Sequence, residues 1–486
     1  MSTIENFNFL WINGEKVTTS KWIDIINPST GEIIGKVPDA DEQNIEQSIV
    51  AASNSFENWA SMPADQRATY LQAWADRILN NQEKLAHILS LEQGKPLHEA
   101  MGEIYGTHLI IRWFAEQGKR VYGEIVPSSR TGKQLYVLKK PVGVVGLITP
   151  ANIPAAILAN KVAPALAAGC TAILKPAEQT PMIAIALIDE LIQTNIPKGV
   201  INILTGDGKQ IGDKLVKDER VKKIAFTGST RVGKVIMENA ASHIKRLTLE
   251  LGGNCPVILF PDTDIEKGSD AIIANKFENC GQVCNGINIV YVHETIKDDL
   301  LKALQQKISQ LTFRLDGQYE GDIGPMIDGE YLLKVERLVE DAVTLGADIL
   351  VGGSRLKEEP YSNGYYYQPT LLSNITPEMA LTKNEIFGPV LPVMTFKEED
   401  EIIQRCNVTP NALAAYVFTR DAGRMHRLMD RLEFGNVGIN TTSLACPQAP
   451  FGGAKESGLG RVGGHQGLEE YLELRYVAMS PELVSE

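Results

Sequence analysis

Between residues 142 and 240 the chain repeats one unit: a short, nearly all-apolar run, then a stretch of helical length. The apolar runs are Val142-Gly-Val-Val-Gly-Leu-Ile-Thr149, Thr171-Ala-Ile-Leu-Lys175, Val200-Ile-Asn-Ile-Leu204 and Lys222-Lys-Ile-Ala-Phe226. Residues 154–168 and 181–193 are the longest helical stretches, the first despite an interior Pro164. Strands that are apolar on successive residues must be covered on both faces, and the intervening helices supply the cover. The pattern therefore predicts an α/β fold with a parallel sheet between helical layers. Ligands of such a sheet lie beyond the carboxyl ends of its strands.

The rest of the chain is arranged around this block. Residues 8–37 alternate short apolar runs with the turn signals Asn13-Gly14 and Asn27-Pro-Ser-Thr-Gly31, and read as strands and hairpins. From 41 to about 115 the period is helical, carried by Leu71, Trp74, Ile78, Leu85 and Leu89 and interrupted at Gly94-Lys95-Pro96. Residues 121–140 suit a projecting hairpin. A second alternating region spans 252–445, and Leu474–Met479 reads as a last strand.

Composition excludes several functions. With 486 residues, 44% hydrophobic and 22% charged, the chain suits a folded protein of two or three domains. A net charge of −13 argues against a nucleic-acid surface. No apolar run is long enough to span a membrane. The start, Met1-Ser-Thr-Ile-Glu-Asn-Phe, lacks the basic and apolar regions of a secretion signal. Six irregularly spaced cysteines make no disulfide framework, so a reducing cytoplasm is expected. The dispersed histidines leave no metal-ligand spacing, and no metal is expected.

Residues 245–290 carry the chemistry. Glu250 ends an apolar run just before Gly252-Gly253, and Cys284 follows 34 residues later behind Gly281-Gln-Val, at the end of a predicted helix. A thiol becomes a nucleophile through a nearby base or a lowered pKa, and the stretch offers both partners. The plainer readings are a buried apolar cysteine and a carboxylate that caps a strand or pairs with Lys245. Lys175-Pro-Ala-Glu178 ends a sheet strand, where a carboxylate suits ribose hydroxyls or a solvated turn. Gly228-Ser-Thr-Arg-Val-Gly233 opens a helix whose N-terminal N–H groups suit a pyrophosphate. Gly206-Asp-Gly208 with Gly212 reads as a loop.

Together these blocks resemble the aldehyde dehydrogenase superfamily over nearly the whole length. In order they are Ile148-Thr-Pro-Ala-Asn152, Lys175-Pro-Ala-Glu178, Phe226-Thr-Gly-Ser229, Leu249-Glu-Leu-Gly-Gly253, Gly281-Gln-Val-Cys284, Glu385-Ile-Phe-Gly-Pro389 and Pro450-Phe-Gly-Gly453. The resemblance implies NAD(P)-dependent oxidation of an aldehyde, a semialdehyde among the candidates, to the acid. Cys284 would form the thiohemiacetal and thioester, Glu250 would be the general base, and Asn152 would stabilise the oxyanion. It implies a cofactor site of Ile148, Thr149, Pro150, Lys175, Ala177, Glu178, Gly208, Gly212, Phe226, Thr227, Gly228, Ser229, Val232, Leu251, Gly252, Glu385 and Phe387. A dinucleotide-binding domain (1–121 and 141–251), a catalytic domain (252–452) and oligomerisation segments (122–140 and 468–486) follow, with a homodimer or homotetramer. Glu178 would repel a 2′-phosphate, so NAD is expected over NADP. Transfer of the thioester to coenzyme A is the rival chemistry, and retention of Glu250 argues against it. A non-enzymatic role would be marked by loss of Cys284, Glu250 or Asn152, and all three are present.

The wording is nearest to the succinate-semialdehyde dehydrogenase branch, yet the residues that contact a substrate carboxylate there are missing. Glu278 stands where that branch has Arg, Asn160 replaces a second Arg, Ala445 aligns with its Ser, and Ala151 replaces the Trp before Asn152. Arg112, before Trp113, stands where the branch commonly has Glu, and is read as a charge swap that pairs with Glu278 at a near-neutral substrate mouth. The alternatives are Arg112 binding a carboxylate and Glu278 binding the amine of an aminoaldehyde. Val283 and Asn285, on either side of the nucleophile, complete the expected substrate-side set.

Overall fold

The computed structural model describes residues 7–315 and 321–480. The 142–240 block forms the parallel strands β1 (Val144–Ile148), β2 (Thr171–Lys175), β3 (Ile201–Ile203) and β4 (Val221–Thr227), joined by β5 (Arg246–Glu250). They lie in the order β3-β2-β1-β4-β5. The chain steps outward from β1 in both directions, so a crevice opens at the carboxyl ends of β1 and β4. Short antiparallel strands close both margins, Leu10–Ile12 against β3 and Gly458–Leu459 against β5.

Helices cover both faces, as the apolar strands require. They are α1 (Pro154–Ala168), α2 (Pro181–Ile192), α3 (Gly208–Lys217) and α4 (Thr230–Ala240). Pro154 opens α1 at a position where its missing N–H costs nothing, and Gly169 ends it at φ +97°. The segment Gly206–Gly212 is not one loop. Asp207 accepts the Gln210 N–H at 2.6 Å and starts α3 at Gly208, so capping by the aspartate overrides the flexibility of the glycines. Leu71, Trp74, Ile78, Leu85 and Leu89 are buried in the core beneath α1 and α2.

The second sheet consists of β6 (Cys255–Leu259), β7 (Ile287–His293), β8 (Thr370–Ser373), β9 (Val390–Phe396), β10 (Ala414–Phe418) and β11 (Asn436–Ile439), with an antiparallel edge strand, Asp348–Val351, beside β8. Strands β6 to β11 are parallel in the order β8-β9-β7-β6-β10-β11, and enclose a second core. Only Leu251–Asn254 separates the end of β5 from the start of β6, so the last residue of the first sheet lies beside the entry loops of the second. A third sheet pairs Glu124–Val126 with Gln134–Pro141, and the latter with Leu472–Met479. It leaves Ile125, Leu474 and Tyr476 exposed. Residues 481–486 of the expected oligomerisation tail, and residues 1–6 of the expected first domain, lie outside the described residues.

Candidate active site

Where the two sheets meet, a cavity of about 150 Å³ is lined by Asn152, Glu250 and Cys284 together with Pro150, Ala151, Thr227, Gly228, Ser229, Leu251, Gly252, Glu385 and Phe387. Glu250 is the carboxyl-terminal residue of β5 and lies opposite Thr227 of β4 in the ladder. The Thr227 hydroxyl donates to its Oε2 at 3.0 Å, while Oε1 has no partner among the described residues. Burial holds the Glu250 carboxyl above the ordinary range, and Lys161 and the Thr227 hydroxyl partly offset this. Lys245, its alternative partner from sequence, turns instead to the carbonyls of Asp218 and Val221.

Cys284 does not end a helix. The helix α5 (Ile265–Phe277) stops seven residues earlier, and Asn279, Cys280 and Gly281 follow at φ +48°, +57° and +72°. Three consecutive left-handed residues coil the chain tightly before it enters β7, a conformation the surroundings must enforce. A Cβ on Gly281 would lie 2.3 Å from the Gly388 carbonyl oxygen. Gly253 allows an equally close approach from the other side, since a Cβ there would sit 2.8 Å from the Cys284 carbonyl. Burial raises the Cys284 thiol well above its usual range, and Glu250 and Glu385 add to the rise. The thiol therefore stays protonated until a base removes its proton.

Asn152 lies between β1 and α1. Its Nδ2 donates to the Gln282 carbonyl at 2.9 Å, which leaves the second amide hydrogen for a ligand. Gln282 is fully buried and ties this loop to the next segment, accepting the Ile327 N–H at 2.8 Å and donating to Asn279 O at 3.0 Å.

The cofactor-side residues gather around the crevice of the first sheet. The Thr149 hydroxyl, just past Ile148, is buried with no partner among the described residues. Glu178 Oε1 accepts the Gly208 N–H at 2.6 Å and contacts Lys175 Nζ at 2.7 Å, beside the buried Ala177. A Cβ on Gly208 would strike that carboxylate, and one on Gly228 would strike the Phe226 ring. Gly212 faces Ile148, and Ser229 caps α4 by accepting the Val232 N–H. An orphaned hydroxyl, glycines where backbone must stay bare and a helix that opens at the cavity wall fit a dinucleotide. Burial pushes the Glu385 carboxyl up to about 7, despite Lys334 and the Gly253 N–H, and Phe387 packs its ring on Tyr331 at 5.6 Å.

On the substrate side the expected pairing of Arg112 with Glu278 does not form. Arg112 points off the solvent face of helix Leu97–Gly118 and meets Asp76 at 3.1 Å, both side chains being more than half exposed. Helical phase is the reason, because Glu99 and Glu103, which reach Asn279 and Ala155 from that helix, lie on the face opposite Arg112. Glu278 is solvent-accessible but crowded, and desolvation and Glu103 raise its carboxyl against the pull of Lys95. Val283 is buried, and Asn285 turns to Tyr416, whose hydroxyl donates to its carbonyl at 2.7 Å. Trp113 packs on the first core, Asn160 is half-buried on α1, and Ala445 is exposed in a loop.

Sequence reasoning missed Lys161, Gln282, Ile327, Tyr331, Lys334, Leu413 and Phe451. Six of them line the cavity, and Lys161 is fully buried beside Glu250 with its Nζ unpartnered among the described residues. Only Gln282 and Phe451 stood inside blocks that sequence could flag. Among the described residues no cluster of His, Cys, Asp and Glu could hold a metal, and no helix is long and apolar enough to cross a membrane.

The profile of the aldehyde dehydrogenase family matches residues 11–477. The chain is 42% identical over 471 residues to the succinate-semialdehyde dehydrogenase [NADP(+)] of Escherichia coli K12, covering 96% of this chain and 97% of that one. It is 41% identical over 473 residues to the glutarate-semialdehyde dehydrogenase of Pseudomonas putida, covering 97% of each. The crystal structure of betaine aldehyde dehydrogenase from Staphylococcus aureus in complex with NAD+ is 35% identical, with a TM-score of 0.95, covering 99% of this chain and 96% of that one.

Proposed function

Because the chain belongs to the aldehyde dehydrogenase family, and so is an enzyme that oxidises an aldehyde to the carboxylic acid with NAD(P), we propose that Cys284, Glu250 and Asn152 perform the reaction. The observation that carries this reading is their convergence on one cavity, with Glu250 Oε1 free of protein partners among the described residues. Glu250 takes the thiol proton as Cys284 Sγ bonds to the aldehyde carbon and the carbonyl electrons move to oxygen. The remaining N–H of Asn152 and the backbone N–H of Cys284 stabilise that oxyanion. When bound, the nicotinamide supplies the hydride acceptor that the side chains lack, which leaves a thioester on Cys284. Glu250 releases the thiol proton to solvent and, ionised again, removes a proton from water as the water oxygen adds to the thioester; the thiolate then leaves, the acid forms, and Glu250 returns its proton to Cys284.

The cofactor is held by Lys175 and Glu178 at the adenosine end, by the Gly228–Ser229 turn and the first turn of α4 at the pyrophosphate, and by Glu385 and Phe387 at the nicotinamide. Glu178 favours NAD, because a second negative charge would meet a carboxylate already tied to Gly208 and Lys175. The E. coli relative carries NADP(+) in its name and the S. aureus structure contains NAD+, so the family accommodates both. The exposed apolar side chains of the third sheet support a homodimer or homotetramer. Six free thiols suit the cytoplasm.

An aldehyde panel assayed with each cofactor tests the reading. Cys284→Ala removes the nucleophile and abolishes turnover. The wild type releases acid rather than acyl-coenzyme A, and works more efficiently with NAD. Surviving turnover in Cys284→Ala refutes the mechanism, and equal efficiency with NADP refutes the role given to Glu178.

A further inference from the structure

The loop that interrupts the N-terminal helices, Gly94-Lys95-Pro96, sends a buried ammonium to the back of Asn152, and the reaction above does not use it. The loop itself is pinned: Ser90 Oγ donates to the Lys95 carbonyl at 2.7 Å, and Lys95 N–H donates to Gln93 Oε1 at 3.1 Å. Its side chain therefore starts from a fixed place. Lys95 Nζ meets Glu103 Oε2 at 2.6 Å, with both side chains at least 95% buried, and donates to the Asn152 carbonyl at 3.0 Å.

Glu103 works on the other flank of the same residue. Its Oε1 accepts the Ala155 N–H at 2.7 Å and the Ala156 N–H at 3.3 Å, in the first turn of α1. Asn279 Nδ2 adds a second bond to the Asn152 carbonyl at 2.9 Å. Both lone pairs of that carbonyl are then used, one amide hydrogen is on Gln282, and one hydrogen points free. Charge-assisted bonds of this length in a buried setting fix backbone more firmly than neutral ones.

We propose that the Lys95–Glu103 ion pair is a positioning device that aims the side-chain amide of Asn152 at the oxyanion, an inference that rests on the role given to Asn152 above. Neither residue touches the aldehyde. Lys95 holds the carbonyl of Asn152, Glu103 holds the helical turn that follows, and the free N–H keeps the direction in which the alkoxide develops. Oxyanion donors act only when placed beforehand, so a lost anchor appears in the rate of the chemical step.

The test compares Lys95→Met, Glu103→Gln, Asn152→Ala and the double variant Lys95→Met/Asn152→Ala. Folding is checked by circular dichroism, and Cys284 reactivity by its rate of alkylation with a neutral haloacetamide, which forms no oxyanion. Lys95→Met is expected to lower kcat by about 10²-fold, the scale of one oxyanion donor. KM and the alkylation rate stay at wild-type values, and the double variant is no slower than Asn152→Ala alone. Glu103→Gln keeps an acceptor for Ala155 but loses the charge, and reads the same quantity if Lys95→Met does not fold. An unchanged kcat, a loss that multiplies with that of Asn152→Ala, or alkylation that falls in parallel overturns the proposal. Full activity in Asn152→Ala instead overturns the underlying assignment of Asn152.

Discussion

Glu250 must be ionised to accept a proton, yet it sits where ionisation is penalised. Lys161 is the charge that counters this, since it lowers the Glu250 carboxyl while burial draws its own ammonium down to about 8. Removing it in Lys161→Met leaves only the Thr227 hydroxyl and the more remote Arg461. The acid limb of the kcat/KM–pH profile should then shift to higher pH, because the base needs a less acidic medium to ionise. An acid limb that stays in place shows that Lys161 does not act on the base. Glu278 is the second informative residue. Lys95, the cation nearest to it in effect, is already engaged by Glu103 and Asn152, so if Glu278 borders the substrate path it offers a substrate carboxylate no positive charge. Glu278→Arg, which restores the residue of the succinate-semialdehyde branch, should raise kcat/KM for succinate semialdehyde by roughly tenfold or more relative to a neutral aldehyde, the worth of one good charged contact. A ratio that does not change removes Glu278 from the substrate path.

At the scale of elements, the segment between α5 and β7 carries the greatest constraint. Its three left-handed residues turn the chain so that Cys284 faces Glu250 rather than continuing a helix into the second core. Gly281 is the tightest point: a side chain there would combine an unfavourable φ with contact against the Gly388 backbone. Gly281→Ala should destabilise the fold by about 2 kcal/mol or more, and slow the enzyme as the Cys284 loop shifts. Urea denaturation measures the first effect and single-turnover kinetics the second. Wild-type values in both would mean that the loop relaxes freely. The sequence pattern alternates strand and helix here and carries the predicted helix on to Cys284, whereas the structure ends α5 at Phe277, beyond which the Asn279 N–H donates to the Glu99 carboxylate at 3.0 Å and the left-handed residues begin.

At the scale of the whole molecule, buried acids couple stability to pH. Glu92 is fully buried and accepts the N–H groups of Met182 and Ile183 at 2.5 and 3.0 Å, capping α2 from a neighbouring helix. Burial pushes its carboxyl up to about 8, and Glu99 and Glu385 are raised to about 7. An acid whose folded pKa exceeds its unfolded value stabilises the fold fully below the unfolded pKa. That contribution is lost as pH rises through the folded value. The Tm should therefore fall between about pH 4.5 and about pH 8, and Glu92→Gln, which cannot ionise, should flatten that slope. A thermal scan across this range checks it, and an unchanged slope would assign the coupling to other groups.

The sequence by itself determined the fold class, because continuous apolar strands alternating with helices admit little besides covered parallel sheets. It also marked Glu250, Cys284 and Asn152, since each stands in a block whose glycines and order are informative. Tertiary structure alone decided who meets whom. Lys161 and Lys95 carry no local signal of burial, and each acquires its meaning from a carboxylate brought to it by another element. Arg112 shows the converse: a charge that appears complementary along the chain is carried by helical phase to Asp76 on the surface. Periodicity is a local property, whereas the desolvation that tunes an acid and the contact that aims an amide arise only where the two sheets close on one another.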